Sequence, residues 1–199
     1  SMKLENIMPM GKGNHVRLYF SRDHAKLSAI LFNCEYKSFA YECGQVLDLV
    51  VTLERNEYRG VVTPSVYLRD IRVHNIDQER LVSAFQTFDC IMRDEQIDAE
   101  QNDELIPTRE QIERIYKLLR KNKRYTGPLE QLCYLAGAPE IPYLQTRITM
   151  EILKQADLIE LTDAGDRFEI KVLPVEKKVD LTKTPIFKLL KEKKRVGSV

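Results

Sequence analysis

Alternation of apolar and polar residues with a period of two extends from Leu4 to His74, and it constrains the fold more than any other feature of the chain. In the segment from Val16 to Phe20, for example, every second residue is apolar. Successive side chains of a strand point to opposite faces, so this pattern indicates strands with one buried face rather than helices. The N-terminal part of the chain is therefore predicted to form a β-sheet.

Turn-forming residues divide this region into five strands and one helix. In chain order, the predicted strands are Leu4–Met10, His15–Phe20, Leu27–Asn33, Gln45–Glu54 and Thr63–Val73. Between the third and fourth strands, a short helix is predicted over Glu35–Glu42, ended by Gly44. This order is typical of an OB-fold, a five-stranded barrel that binds oligonucleotides on the face of strands 2 and 3 and through two flanking loops.

Candidate nucleic-acid-binding residues fall on that face and in those two loops. His15, Arg17 and Tyr19 form the polar face of the second strand. The two predicted loops supply Lys12, Asn14, Arg55, Asn56, Tyr58 and Arg59. Single strands are bound by cations along the backbone and by aromatic rings on which bases stack. The alternative is an ordinary solvated strand face, on which the two tyrosines are packing residues and His15 is a solvated partner.

The C-terminal part of the chain has the longer period that is typical of helices. Three helices are predicted, beginning at Thr108, Pro128 and Pro142, and a hairpin of Leu158–Leu161 and Phe168–Leu173 follows them. Three helices and a hairpin predict a winged-helix-like domain, whose third helix usually enters the DNA major groove.

That third helix offers few cations for such a contact. We expect it to present Gln145, Arg147 and Lys154 outward beside Glu151, which favours an interaction module over a sequence-specific DNA-binding domain. The basic segment Lys177–Arg195 is predicted to hold a last helix, with an apolar stripe of Ile186, Phe187, Leu189 and Leu190. The cations of this segment are either a solvated face or a tail that contacts DNA or another domain.

The charge distribution suggests where the two domains meet. Between residues 77 and 105, Asp and Glu outnumber Lys and Arg by 9 to 2, whereas cations are in excess on either side. Like charges are tolerated where water screens them, so this segment is predicted to be a solvated acidic connector. The sequence thus predicts an α+β protein with an OB barrel over 1–76, a connector over 77–105 and a winged-helix-like domain over 106–199.

Two stretches of the barrel resemble the OB domain of bacterial RecJ single-strand-specific DNA exonucleases. The first runs from Met10 to Leu18 (MGKGNHVRL) and is followed by Leu27–Ile30 and Phe32. The second runs from Val50 to Gly60 (VVTLERNEYRG) and is followed by Leu68–Arg72. Farther along the chain, Pro107–Gln111 and Asp180–Pro185 are similar to the extra C-terminal domain of RecJ from low-GC Gram-positive bacteria.

The resemblance implies that the chain is a non-catalytic C-terminal part of such an exonuclease. Its OB domain is then expected to hold single-stranded DNA for a missing DHH nuclease core, which uses Mn or Mg, in DNA repair and recombination in the cytoplasm. Besides that core on the same polypeptide, single-strand-binding protein is an expected partner. The alternative function is a protein-docking module that recruits the exonuclease to that protein or to other repair factors.

Catalytic and metal-binding motifs are not expected in this chain. The three histidines lie apart, at His15, His24 and His74, and the pair Asp23–His24 is interpreted as part of a turn. Gly11–Lys12–Gly13 lacks the spacing of a phosphate-binding loop. The net charge is only +1, and no apolar run approaches the length of a membrane span, so neither general polyanion binding nor membrane insertion is predicted. The four cysteines are predicted to be reduced, buried thiols.

Overall fold

The protein divides into two compact units, Ser1–Asn75 and Ile76–Val199, here called the barrel unit and the helical unit. The computed structural model describes residues 1–97, 105–137, 142–165, 167–175 and 178–196, except for the side chains of Tyr58, Arg195 and Val196. Both helices and strands are present, so the predicted α+β class is confirmed.

The barrel unit is a five-stranded mixed sheet with the strand order β1-β2-β3-β5-β4. Its strands are β1 Met2–Met10, β2 His15–Arg22, β3 Ala25–Leu31, β4 Val46–Tyr58 and β5 Val61–Val73. Pairing of β1 with β4 closes the sheet into a barrel, and β3 with β5 is the parallel pair. The predicted order of strands is confirmed, and the arrangement is OB-like.

Alternation along β2 separates the barrel core from the outer face. Val16, Leu18 and Phe20 are buried, with at most 2% of each side chain exposed, and they pack with Leu4 and Leu47. The intervening polar side chains of β2 are half-buried on the opposite face. The sequence therefore predicted the two faces of this strand correctly.

The predicted helix over Glu35–Glu42 is wrong, because only a 3₁₀ turn forms, at Tyr36–Ser38. After this turn the backbone becomes extended at Phe39. The Tyr41 ring lies next to that of Phe39, and its hydroxyl donates a hydrogen bond of 2.7 Å to the carbonyl oxygen of Ile71. Anchoring of Tyr41 in the barrel core thus outweighs the local helix preference.

The hairpin of β4 and β5 is longer than the sequence suggested. Its turn consists of Arg59 and Gly60 alone, and both have positive φ angles, of 52° and 77°. Two such residues match the twist of a hairpin, so pairing continues up to the turn. Arg55 and Asn56, which were predicted to lie in a loop, instead belong to β4.

Asp48 at the base of this hairpin binds its neighbours through its carboxylate. His74 donates a hydrogen bond of 2.8 Å from Nδ1, and Arg72 lies 3.6 Å away. Burial raises the pKa of Asp48, but hydrogen bonds from His74 and from the amino group of Ser1 outweigh this effect and hold the pKa below its ordinary value of 3.8.

We expect Asp48→Asn to destabilise the protein at pH 7 and to matter little in acid. A carboxyl whose pKa is lower in the folded state stabilises the fold above its unfolded pKa, and this stabilisation is lost as the pH falls through the folded value. Urea unfolding should therefore show a gap between the free energies of unfolding of the wild type and the variant, and this gap should close below about pH 4. The exposed control Glu35→Gln should show no gap at either pH, and an equal gap at pH 7 and pH 3 would contradict the prediction.

Among its described residues, the helical unit contains five α-helices and a three-stranded sheet of order β6-β8-β7. The helices are α1 Gln78–Met92, α2 Arg109–Asn122, α3 Leu129–Leu135, α4 Tyr143–Gln155 and α5 Pro185–Val196. The strands are β6 Arg124–Gly127, β7 Ile159–Asp163 and β8 Phe168–Val172. Strand β6 was not predicted, because four residues are too few to show a period.

Helix α1 occupies the first half of the segment that was predicted to be an acidic connector. Ala84, Phe88 and Ile91 on this helix are buried, and it packs against α4. Its acidic side chains lie on the solvated side of an amphipathic helix. For residues 78–92 the prediction of a solvated connector is therefore wrong, and residues 98–104 of that segment lie outside the described part.

Helix α4 is enclosed by the rest of the helical unit. It packs against α1, α2, α3, α5 and β7. The prediction that Gln145 and Arg147 point outward is wrong, since 4% and 8% of these residues are exposed, and Glu151 is also buried. Of the polar residues named for this helix, Lys154 alone is exposed, and it lies 3.6 Å from Glu151.

Arg147 is the most unusual of the buried residues on α4. Its guanidinium lies over the rings of Phe88 and Phe168, 4.1 and 4.9 Å from their centroids. It also donates a hydrogen bond of 2.9 Å to Asp163. Burial lowers the pKa of Arg147, although nearby carboxylates, led by that of Asp163, oppose this shift. This arginine thus joins α1, α4 and the β7–β8 hairpin.

The last helix, α5, is present as predicted. Ile186 and Leu190 of the predicted stripe are buried, whereas Phe187 and Leu189 are half-buried. Lys193 donates hydrogen bonds of 2.8 Å to the Asp94 carboxylate and to the carbonyl oxygen of Glu95. One cation of the basic segment therefore contributes to the fold of the helical unit.

The four cysteines are free thiols, but they are not all buried as predicted. Cys43 is exposed, Cys34 and Cys90 are half-buried, and Cys133 is buried. Burial raises the pKa of the Cys133 thiol to about 12. Its Sγ lies 3.1 Å from the hydroxyl oxygen of Thr146, so this thiol is a packing group of the core.

Candidate nucleic-acid interface

The outer face of β2, β3 and β5 brings together residues that are distant in sequence. Strand register places Arg17 between Met8 of β1 and Ile30 of β3, and Ile30 is the partner of Tyr67 on β5. The next row along β2 places Tyr19 between neighbours on β1 and β3. Arg17 and Tyr19 are thus centred on the face that is used for binding in OB-folds.

Three rings form a continuous row across one end of this face. The Phe32 ring lies edge-on to His15, with 5.1 Å between centroids, and is tilted against Tyr67 at 5.5 Å. Phe32 is 48% exposed, although it is a large apolar residue. We call His15, Phe32 and Tyr67 the aromatic row, and it offers flat apolar surface to solvent.

His15 is held in place by the loop and strand around it. Its Nδ1 accepts a hydrogen bond of 3.0 Å from the backbone N–H of Asn33. In the neutral ring the proton is therefore on Nε2. Gly11 lies against the same ring, since a Cβ at this position would be 3.0 Å from Cδ2 of His15. The glycine in the β1–β2 loop thus leaves the space that the His15 ring fills.

Two arginines add positive charge to the same outer face. Arg17 makes no ion pair with any residue that the structure describes, and its side chain is half-buried. Arg69 donates a hydrogen bond of 2.9 Å from Nε to the hydroxyl oxygen of Thr52, the strand partner of Tyr67. This bond directs the side chain of Arg69 towards β4, on the face of the sheet that also carries Tyr67.

Lys12 and Asn14 are exposed in the loop between β1 and β2. Lys12 adopts a left-handed conformation, with φ of 60°, in the turn at Gly11–Gly13. This loop lies at the end of the face where β3 finishes, beside His15. Lys12 and Asn14 therefore lie in the predicted first loop, next to the end of β2 that carries His15.

The residues predicted from the second loop lie at the opposite end of the face. Since β5 runs parallel to β3, the β4–β5 turn lies where β3 begins. Arg55 and Asn56 point to opposite sides of the hairpin, and Arg55 pairs with Glu57 at 3.4 Å. Arg59 is exposed in the turn itself. The side chain of Tyr58 lies outside the described part of the structure.

The nine predicted site residues therefore do not form one cluster. Lys12, Asn14, His15, Arg17 and Tyr19 share the face or border it, whereas Arg55, Asn56 and Arg59 lie along the hairpin. Sequence reasoning missed Phe32, Tyr67 and Arg69. Phe32 had a signal, because it is an aromatic residue at the end of a strand, on the side opposite the buried Ala29. Tyr67 and Arg69 join the site through strand pairing, which the sequence does not show.

The described residues show no metal centre and no membrane span. No group of three or more His, Cys, Asp or Glu within these ranges is placed to hold a metal ion. In the same ranges, no helix has the length and apolar character needed to cross a membrane.

The strand order and the outer face define the barrel unit as an OB-type domain. Comparison with protein families gives a more specific assignment, since residues 1–70 match the family described as RecJ OB domain. The barrel unit is therefore a RecJ OB domain, as the sequence resemblance suggested. The match covers about a third of the 199-residue chain and leaves the helical unit unassigned. A search of curated proteins found no match to this chain.

Proposed function

We propose that the outer face of the barrel unit binds single-stranded DNA and holds it for a RecJ-type nuclease core on the same polypeptide. The family match of residues 1–70 supports the assignment to this class of exonuclease. DNA repair and recombination in the cytoplasm are the processes in which such a protein would act. The chain itself would contribute binding, while the nuclease core would cleave DNA with its own Mn or Mg ions.

The observation on which the proposal rests is that the aromatic row shares the outer face with Arg17 and Arg69. Stacking on exposed rings needs unpaired bases, which a single strand offers and a duplex does not. The two guanidinium groups are suited to phosphate oxygens on the same strand. Phe32 would be the main stacking surface, because it is the most exposed ring of the three.

We also propose that the helical unit is a winged-helix-like module that does not bind the major groove through α4. The order α2, β6, α3, α4, β7, β8 supports the winged-helix assignment. Enclosure of α4 by α1 and α5 argues against groove binding, since a recognition helix must expose its side chains to base edges. Docking of single-strand-binding protein on this unit stays a prediction.

The experiment that tests the proposed DNA binding measures affinity against salt. Fluorescence anisotropy with a labelled single strand of about 20 nucleotides, and with the matching duplex, should show tighter binding of the single strand. Each phosphate contact contributes roughly 0.7 to the slope of log affinity against log salt. The variant Arg17→Ala/Arg69→Ala should therefore lower the slope by about 1.4.

The matched control removes two exposed arginines from other parts of the barrel unit, Arg22 and Arg72. They form ion pairs with Asp23 and Asp48, respectively. Arg22→Ala/Arg72→Ala removes the same charge, but we expect the slope to stay close to that of the wild type. Equal effects of the two variants, or equal affinity for single strand and duplex, would refute a specific site on this face.

A further inference from the structure

A second basic surface lies on the helical unit, where α2 ends and β6 begins. Four exposed cations follow one another there, and we call them the basic turn: Arg120, Lys121, Lys123 and Arg124. Lys123 adopts a left-handed conformation, with φ of 62°, and its N–H donates a hydrogen bond of 2.7 Å to the carbonyl oxygen of Leu119. This cap ends the helix and directs the chain into β6, so that the four side chains are presented around one turn.

The basic turn lacks the acidic partners that neutralise the rest of α2. Earlier in the helix, Arg114 pairs with Glu110 and Lys117 pairs with Glu113, both at 3.1 Å. No acidic residue occurs between Glu113 and Glu130. Within the described ranges, the four cations of the basic turn form no ion pair. Cations at a helix C-terminus are favourable for the helix, but four in succession leave a concentrated positive charge.

The surroundings of the basic turn favour a phosphate chain over a protein ligand. The apolar neighbours Leu119 and Tyr125 are 1% and 4% exposed, so they offer no apolar surface to a peptide side chain. The Arg120 guanidinium lies 5.9 Å from the centre of the Tyr116 ring, which is half-buried. A ligand here would meet cations with little apolar contact, which is how nucleic-acid backbones are bound without sequence preference.

We propose that the basic turn binds the phosphate backbone of nucleic acid as a second site, separate from the barrel face. The proposal rests on the proposed function in that the ligand is the same single strand. A strand with more nucleotides than the barrel face occupies has phosphates left for the basic turn, whereas a strand that the barrel face occupies fully has none. The helical unit would thus extend the length of DNA that the chain binds.

The test compares the full chain with a variant in which Arg120, Lys121, Lys123 and Arg124 are replaced by Gln. A control variant replaces four cations of the same unit that already form ion pairs: Arg114, Lys117, Lys154 and Lys171. Affinity is measured against salt with single strands of about 10 and about 40 nucleotides. For the long strand, the first variant should lower the salt slope by about 2 to 3, and the control should stay near the wild type.

The possible results separate this inference from the proposed function. A loss confined to the basic-turn variant and the long strand supports a second site. Equal losses of affinity in the basic-turn variant and the control would show that the effect comes from net charge alone, and the inference would be overturned. If Arg17→Ala/Arg69→Ala weakens DNA binding and the basic-turn variant does not, the inference fails while the proposed function stands. If the basic-turn variant weakens DNA binding and Arg17→Ala/Arg69→Ala does not, the inference stands while the proposed barrel site fails. If the basic-turn variant lost binding to a labelled acidic peptide while its DNA binding was unchanged, the inference would be overturned in favour of a protein partner.

Discussion

Replacing Phe32 by alanine should lower the affinity of the protein for single-stranded DNA by roughly 5- to 150-fold. This range follows from the ~1–3 kcal/mol that one stacked base contributes when its aromatic partner is truncated. Phe32 is the centre of the aromatic row, in contact with both His15 and Tyr67. Anisotropy titrations at fixed salt measure the change, which should appear with every base composition, because stacking needs no particular base.

Tyr36→Ala is the matched control for this prediction. Tyr36 is 43% exposed, close to the 48% of Phe32, but it lies in the 3₁₀ turn before β4 and makes no contact with the aromatic row among the described rings. Both variants should unfold at nearly the same temperature as the wild type, since neither ring fills the core. If the two variants lost affinity equally, or neither did, the aromatic row would not be the stacking surface.

Phe168→Ala should destabilise the helical unit by about 3–5 kcal/mol, the usual cost of removing a fully buried ring. Phe168 is 0% exposed and stacks on Phe85, with 6.3 Å between centroids. Its ring is also one of the two that cover the Arg147 guanidinium. The variant therefore leaves a cavity beside a buried cation. Urea unfolding should show a lower midpoint, and affinity for a short single strand should be unchanged.

The control for the stability prediction is Tyr134→Ala, which removes a 45% exposed ring from the same unit. We expect its free energy of unfolding to change by less than about 1 kcal/mol, because the substitution removes little buried apolar surface. If Phe168→Ala also lowered the free energy of unfolding only slightly, the helical unit would not be organised around Arg147 and its two rings. Near-UV circular dichroism would then help to locate the packing that holds α1 to α4.

Much of the barrel unit could be predicted from the sequence, because strand periodicity is a local property. The alternation from Val16 to Phe20 fixed which side chains face the core, and it placed His15, Arg17 and Tyr19 on the outer face. Turn residues marked all five strands, and family resemblance identified the type of domain. Boundaries were less accurate, since the extension of β4 depends on pairing with β5 rather than on its own composition.

What the sequence by itself determined is the order of the five barrel strands, the buried face of β2 and the RecJ type of the barrel. The tertiary structure decided how distant residues meet. It brought Tyr67 into contact with Phe32, whose ring also contacts His15, and it placed the guanidinium of Arg147 over two rings. The physical reason is the same in both units. A periodic pattern shows that a residue leaves one face of its own element, but whether solvent or another element covers that side depends on packing between segments far apart in the chain.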